Sequence, residues 1–263
     1  MRIRLGHLIF GLSLVSVVAA GALLWWGKDF LESEFPDVAV LSHAYPEVIY
    51  AGRAIPPRVR LTRIKPTGWV TVDDVSKSAV GAIIVSEDWA FYSHAGYDAN
   101  QIKEAIKEDL EEGGFVRGAS TITQQVVRNV FLDKDKNLWR KLKELYLAVR
   151  LEQKVRKTRI LEVYLNIAEW GEGIFGIGEA SQHYFGKAPS QLSPKEGAFL
   201  AMLLPSPKRY SQSFQKRELT SYARSTIDSI LGKMVKARYL TEEERATEEL
   251  VPLPFEGPPG SAL

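Results

Sequence analysis

Gly118-Ala119-Ser120-Thr121-Ile122-Thr123-Gln124-Gln125-Val126-Val127-Arg128-Asn129 separates into two halves when wound at about 100° per residue. Ser120, Thr121, Gln124, Gln125, Arg128 and Asn129 share one half. Ile122, Val126, Val127 and Val130 share the other, with Thr123 among them. The pattern predicts a helix over 119–132. An ordinary solvated face carries Glu and Lys. This one carries hydroxyls and amides, which donate and accept at once, as sugar hydroxyls and acetamido groups require. Its glycine-flanked start at Ser120 also offers backbone N–H groups to an anion. A polar contact between two helices is the competing reading of the same face.

Helical periodicity extends to both sides. Residues 73–86, 98–112, 137–154, 157–167, 172–185, 193–204 and 220–237 read as further helices, with Asp73, Ser193 and Thr241 as N-caps. Upstream, Pro36, Pro46, Pro56, Pro57 and Pro66 break helices and favour extended segments. Downstream, Val251 to Leu263 holds four prolines and two glycines and is expected to be loose. No internal repeat is present. The expected organisation is a cytoplasmic N-terminus (1–6), a transmembrane anchor (7–27), a Pro-rich connector (28–68), a mostly α-helical domain (69–240) and a C-terminal tail (241–263).

The anchor follows from the first thirty residues. Between Arg4 and Lys28 there is no Lys, Arg, Asp or Glu, and the run ends in Trp25-Trp26. About 20 apolar residues cross a hydrocarbon layer, Arg2 and Arg4 favour the cytoplasmic side, and tryptophans suit the far interface. Ala20-Gly21-Ala22 resembles a cleavage site, so a removable signal peptide is the rival. Either way the rest of the chain is expected outside the cytoplasm. The chain has 263 residues, a net charge of +2, no cysteine and four histidines (His7, His43, His94, His183) without an HxxH pair. Thiol chemistry and disulfides are therefore excluded, a histidine-built metal site is not expected, and neither is nucleic acid.

Two more segments are chemically odd. Glu87-Asp88 follows the apolar run Ala79 to Val85, where a helix C-terminus favours cations over acids. Acids there need another reason, and a carboxylate against apolar walls with a second acid beside it gains proton affinity, as a general base does. A helix end with solvated acids is the plain alternative. In Arg140-Lys141-Leu142-Lys143-Glu144-Leu145-Tyr146-Leu147, the residues Leu138, Leu142, Leu145 and Val149 mark a core stripe, and Leu147 and Leu151 a second apolar strip. Glu144 falls between Leu151 and Lys141, where a charge needs a partner. Pairing with Arg140 at i,i+4 would be a purely structural answer. From Asp133 to Arg159 there are ten Lys/Arg and four Asp/Glu. That density points to an anionic substrate such as a pyrophosphate, or to a basic surface facing a membrane.

Together these strings resemble, in order and spacing, the motifs of family 51 glycosyltransferases, the peptidoglycan polymerases, most closely their monofunctional members. The resemblance covers roughly residues 70–240. It runs through Glu87-Asp88 with Phe91, His94, Gly96 and Asp98, then Gly118 to Gln125, Arg140-Lys141 with Glu144, Lys157 to Asn166, and Gly176 to Lys187. The resemblance implies a lysozyme-like bilobal helical domain with a membrane-associated jaw. It implies transfer of an undecaprenyl-pyrophosphate-linked glycan chain onto the GlcNAc 4-hydroxyl of lipid II, with inversion, giving β-1,4 bonds. By motif position Glu87 is the general base and Glu144 the second catalytic glutamate, near the donor pyrophosphate. Arg128, Lys136 and Lys143 are the expected pyrophosphate cations. Gly118, Ser120 and Gln125 line the groove with Gln124 beside them, and Phe91 meets lipid or acceptor. No cofactor is required, although a divalent cation (Mg or Mn) at the pyrophosphate, touching Glu144, fits the resemblance. The implied setting is a bacterial inner membrane, crossed once, with other cell-wall synthesis or division proteins as partners. No SxxK…KTG set follows residue 240, so transpeptidase chemistry is not expected. A lysozyme-like hydrolase or lytic transglycosylase, and a silent wall-enzyme scaffold, are the alternatives.

Overall fold

The computed structural model describes residues 18, 21–23, 25–27, 34–112, 120–133 and 137–257, with backbone alone at 105, 106 and 108–112. The chain divides into two compact units, 1–37 and 38–263. In the first, the described residues 18, 21–23 and 25–27 are helical. Most of the anchor expected over 7–27 lies outside the described residues, and among those described no helix is long and apolar enough to cross a membrane.

The second unit is mostly helical, as its periodicity predicts. It begins inside the expected connector. A 3-10 turn at Val38–Ser42 buries Val38 and Leu41, and strands β1 (Tyr45–Ile49) and β2 (Arg58–Thr62) pair antiparallel, Val48 opposite Val59. Arg159 binds this segment down by donating to the Leu41 and Ala44 carbonyls while its guanidinium lies over Tyr45 and Trp69. Residues 38–62 of the expected connector thus belong to the folded unit.

Helix α1 (Lys77–Glu87) is central because Ala79 to Val85 is apolar on every side and buried throughout. The helix expected over 73–86 is interrupted. Thr71 and Asp74 side chains close a short 3-10 turn at Val72–Asp74, and the cap of α1 is Ser76, not Asp73. Helices α2 (Ala99–Glu112), α3 (Ile122–Phe131), α4 (Leu138–Lys154) and α5 (Lys157–Ile167) follow. The helix expected from 172 instead begins at Ile177. Gly173 and Gly176 adopt φ of 75° and 86°, which shape a small hairpin of β3 (Glu169–Gly171) and β4 (Ile174–Phe175). Then come α6 (Ile177–Phe185), α7 (Pro194–Leu203, capped by Ser193), α8 (Pro207–Tyr210), α9 (Gln212–Lys216), α10 (Ser221–Lys236) and α11 (Glu242–Leu250, capped by Thr241). The segment after α11 is not loose over its described part. Leu253 and Phe255 are buried, Phe255 against Phe185, Phe199 and Phe214.

Helix α1 packs on α7 and α10, while α3 packs on α4 and α5. The crossing of α1 and α7 depends on Gly197, where a Cβ would stand 2.5 Å from the Ala79 Cα. Gly197→Ala should therefore spread the helices and destabilise by about 1–3 kcal/mol, seen as a lowered melting temperature. An unchanged melt would contradict this packing.

Helix α4 corrects one reading. Its buried stripe is Glu144, Leu147, Ala148 and Leu151, the spacing of one helix face. Leu138 and Leu142, expected in the core, are 76% and 50% exposed. The buried stripe thus opens with a glutamate.

Candidate active site

Helix α1 ends where its apolar run ends, so Glu87 emerges at the edge of the core with one side accessible. Two side chains hold it. Gln125 Nε2 donates to Glu87 Oε2 at 2.8 Å from α3, and the Tyr164 hydroxyl donates to the same oxygen at 3.4 Å from α5. Among the described residues none donates to Oε1. Burial raises the Glu87 pKa, and Asp88 adds to the rise. The bonds from Gln125 and Tyr164 and the positive Arg128 oppose it without reversing it. A carboxylate with raised proton affinity, fixed through one oxygen and open at the other, is built to take a proton. Burial and the neighbouring Glu87 push the Tyr164 hydroxyl well above its ordinary pKa, so it acts as a donor only.

Asp88 turns the other way and is fully buried. Its carboxylate accepts from His94 Nε2 at 2.9 Å and from the Ile122 backbone N–H at 2.9 Å. The Gly96 N–H donates to His94 Nδ1 at 3.1 Å, which places the ring hydrogen on Nε2, facing Asp88. Gly96 has φ 99°, and a Cβ there would stand 2.8 Å from the α4 backbone at Ala148, so only glycine fits this turn. Behind the ring, Glu152 accepts from Lys157 and from the Thr123 hydroxyl, each at 2.6 Å.

Glu144 is fully buried and doubly paired. Arg140 Nη1 reaches Oε2 at 2.7 Å, and Lys141 Nζ reaches Oε1 at 2.6 Å while also donating to Ser120 Oγ at 2.9 Å. Positions i−4 and i−3 lie on the face of Glu144, so these two cations follow from helix geometry. Lys143, one residue away, points elsewhere, its Nζ 5.6 Å from the Trp139 ring centre. The pairing leaves the cluster one charge positive.

A cavity of about 870 Å³ is lined by cations that act on both glutamates, although neither Glu87 nor Glu144 lines it. It is lined by Arg128 and Asn129 at the end of α3, Arg140 of α4, Val48 and Arg58 of the β1–β2 hairpin, and Glu169 of β3. Three guanidinium groups against Glu169 and Asp133 leave it cationic. One opening thus carries Arg128, whose field reaches Glu87, and Arg140, which holds Glu144.

The expected site residues divide accordingly. Glu87, Gln125 and Arg128 come together, as do Glu144 and Ser120, through Lys141. Gly118 and Lys136 lie outside the described residues. Gln124 does not face a groove: it is buried and its Oε1 accepts from the Thr121 N–H at 2.9 Å, closing a capping box. Phe91 meets no ligand surface, being fully buried with Lys157 4.4 Å above its ring. The helix start expected to bind an external anion already holds one, the Asp88 carboxylate. Tyr164, Arg140 and Lys141 were not assigned site roles from sequence. The i−3 and i−4 offsets would have pointed to the last two, whereas Tyr164 has no local signal.

The family model described as Transglycosylase matches residues 59–235. The chain is 42% identical over 162 residues to the biosynthetic peptidoglycan transglycosylase of Nitrosomonas eutropha, covering 62% of this chain and 66% of that protein, just under two thirds. It is 39% identical over 171 residues to the protein of the same name from Nitrosospira multiformis, covering 65% of this chain and 73% of that one. It is also 38% identical over 180 residues to penicillin-binding protein 1F of Bacillus subtilis, covering 68% of this chain and 25% of that protein.

Proposed function

This chain belongs to the transglycosylase family and is a glycosyltransferase that polymerises peptidoglycan strands, and we propose that Glu87 is its general base and that Glu144 organises the cations that receive the leaving group. The acceptor is lipid II and the donor is the growing chain carried on undecaprenyl pyrophosphate. The acceptor 4-hydroxyl oxygen attacks the anomeric carbon of the donor's reducing-end sugar. Its proton passes to Glu87 Oε1 as the new C–O bond forms. The bond from the anomeric carbon to the pyrophosphate oxygen breaks, and its electron pair leaves with the pyrophosphate. Attack opposite an α-linked leaving group gives a β-1,4 bond. Charge develops on the pyrophosphate, so preplaced Arg128, Arg140 and Lys141 stabilise the transition state more than the ground state. The observation that carries this reading is Glu87, held on Oε2 alone with its proton affinity raised, within the field of Arg128, which also lines the arginine-rich cavity.

A divalent ion at Glu144 does not suit this donor set. Both carboxylate oxygens are taken by cationic side chains, and no group of three or more potential metal ligands exists among the described residues. We assign the pyrophosphate charge to the side chains and route no step through a metal.

The substrate belongs to the cell envelope. We propose that residues 7–27 anchor the chain in the bacterial inner membrane, with the catalytic unit outside the cytoplasm and other wall-synthesis or division proteins within reach, in a lysozyme-like fold whose jaw touches the bilayer. Tethering to the surface that holds a lipid-linked substrate raises its effective concentration. Support for the contact comes from the start of α4, where Leu138, Trp139 and Leu142 are 76%, 52% and 50% exposed beside Lys143. This mix suits a lipid interface. Trp139→Ser with Leu142→Ser should slow turnover of lipid II in vesicles several-fold and leave the rate in detergent micelles unchanged. Equal loss in both would count against membrane contact.

The reading as a whole is tested by incubating the purified full chain with fluorescent lipid II in detergent and resolving the products by size. Long polymer is the expected product. Release of fragments from finished sacculi, without polymer, would make the chain a hydrolase, and neither result would leave a scaffold.

A further inference from the structure

We propose that Asp88 is a positioning residue for the transfer reaction: it grips the first N–H of α3 and so keeps the Gln125 amide on Glu87. The proposal rests on the reading of Glu87 as the base and adds how that base is held.

Two consecutive acids take two grips on one helix. Glu87 accepts from the side chain of Gln125, and Asp88 accepts from the backbone of Ile122. Ile122 opens α3, and Gln125 stands one turn further along, about 4.5 Å up the axis. Asp88 leaves the helical conformation (φ −158°, ψ 75°), which sends its carboxylate away from Glu87 and toward the start of α3. Thr121 and Gln124 pair with each other in the capping box, so the Ile122 N–H is left to Asp88. This explains the acid pair at the end of α1. Asp88 is unfavourable for the dipole of α1 and favourable for that of α3, whose N-terminus it caps from outside. His94 holds Asp88 from the other side. Glu152, tied to Lys157, takes the Thr123 hydroxyl, so the first turn of α3 is held by two carboxylates from two other elements.

The charged and titratable groups facing Glu87 are Arg128 from α3, Tyr164 from α5 and Asp88 itself, with the Gln125 amide between them. They give Asp88→Asn a sign that identifies its role. If Asp88 acted only through its charge, removing it would lower the proton affinity of Glu87 and move the acid limb of kcat to lower pH. If Asp88 acts by holding Gln125 in place, the neutral amide, a weaker acceptor for the Ile122 N–H and for His94, loosens the grip and weakens a bond that favours the ionised form, and the limb moves to higher pH.

The experiment is the pH profile of kcat on lipid II for the full chain, for Asp88→Asn, for Gln125→Ala and for the double variant, each checked by thermal melt. The expected result for Asp88→Asn is about a tenfold loss in kcat, the worth of one hydrogen bond, with KM nearly unchanged and the acid limb shifted upward. In the Gln125→Ala background the same change should add no further upward shift and leave only the small downward effect of the lost charge. A limb that stays or moves down in Asp88→Asn, or a fully additive double variant, overturns the clamp alone. A wild-type profile lacking an acid limb overturns the base and the clamp together. Should Asp88→Asn fail to fold, His94→Ala keeps the Asp88 charge and frees its side. It should give a smaller upward shift, and a downward or absent shift overturns the proposal.

Discussion

Glu87→Gln should abolish strand synthesis, by about 10²–10⁴-fold in kcat as expected for loss of a general base, while lipid II binding is retained. Glutamine keeps the length and one carbonyl oxygen that can stand where Glu87 Oε2 stood, so Gln125 and Tyr164 still have a partner, but the amide in place of Oε1 cannot take the hydroxyl proton. The same substitution should stabilise the fold at neutral pH. Burial raises the folded-state pKa of Glu87, so the native state favours its protonated form. Its stabilising contribution is fully present below the ordinary glutamate pKa and is lost as pH rises through the folded value. The variant should therefore melt above wild type at neutral pH, and the gap should close in acid. Calorimetry at two pH values alongside the polymerisation assay measures both effects. An active Glu87→Gln would contradict the assignment outright.

Glu144→Gln should also lose about 10²–10³-fold in kcat, the usual scale for a preorganised charge-stabilising element, and yet keep its stability. Arg140 and Lys141 are partly exposed, so both can turn to water when the carboxylate goes. Arg140→Ala differs, because it leaves a fully buried carboxylate with Lys141 alone. Breaking a buried pair from one side costs about 3–5 kcal/mol, so this variant should lose both activity and melting temperature. A purely structural ion pair predicts another outcome: Glu144→Gln would melt lower and keep its kcat. The two readings separate on one kcat measurement and one melt.

What the sequence revealed and what it hid have physical reasons. Helix α5 begins after Arg156 and ends at Ile167, where periodicity places it, because Ile160, Leu161, Val163, Tyr164, Leu165 and Ile167 give it a continuous buried side. The polar half of α3 was legible as special, but its members serve different ends. Gln125 faces Glu87, whereas Gln124, its neighbour, is spent on a capping box, and both share the same composition. Glycines at 173 and 176 were visible, yet only their positive φ turns 172–176 into a hairpin. On α4 the leucines offered two stripes. The fold buried the one containing Glu144, since Arg140 and Lys141 could follow it inward and neutralise it. The resemblance makes Phe91 a ligand contact, whereas the fold buries it as a platform for Lys157. The acids at the end of α1 looked misplaced because the helix that needs Asp88 lies 34 residues further along, and no local pattern reports such a contact.

The proton-accepting role of Glu87 is tested most directly by the pH dependence of kcat for lipid II polymerisation, followed together with the infrared band of the Glu87 carboxyl group, identified by its loss in Glu87→Gln. A base must be ionised to act, so the rate should climb as pH rises through the Glu87 pKa, at a midpoint above the ordinary glutamate range and coincident with the disappearance of the protonated band. A rate that instead falls as that band disappears would show Glu87 giving a proton rather than taking one, and would contradict the account.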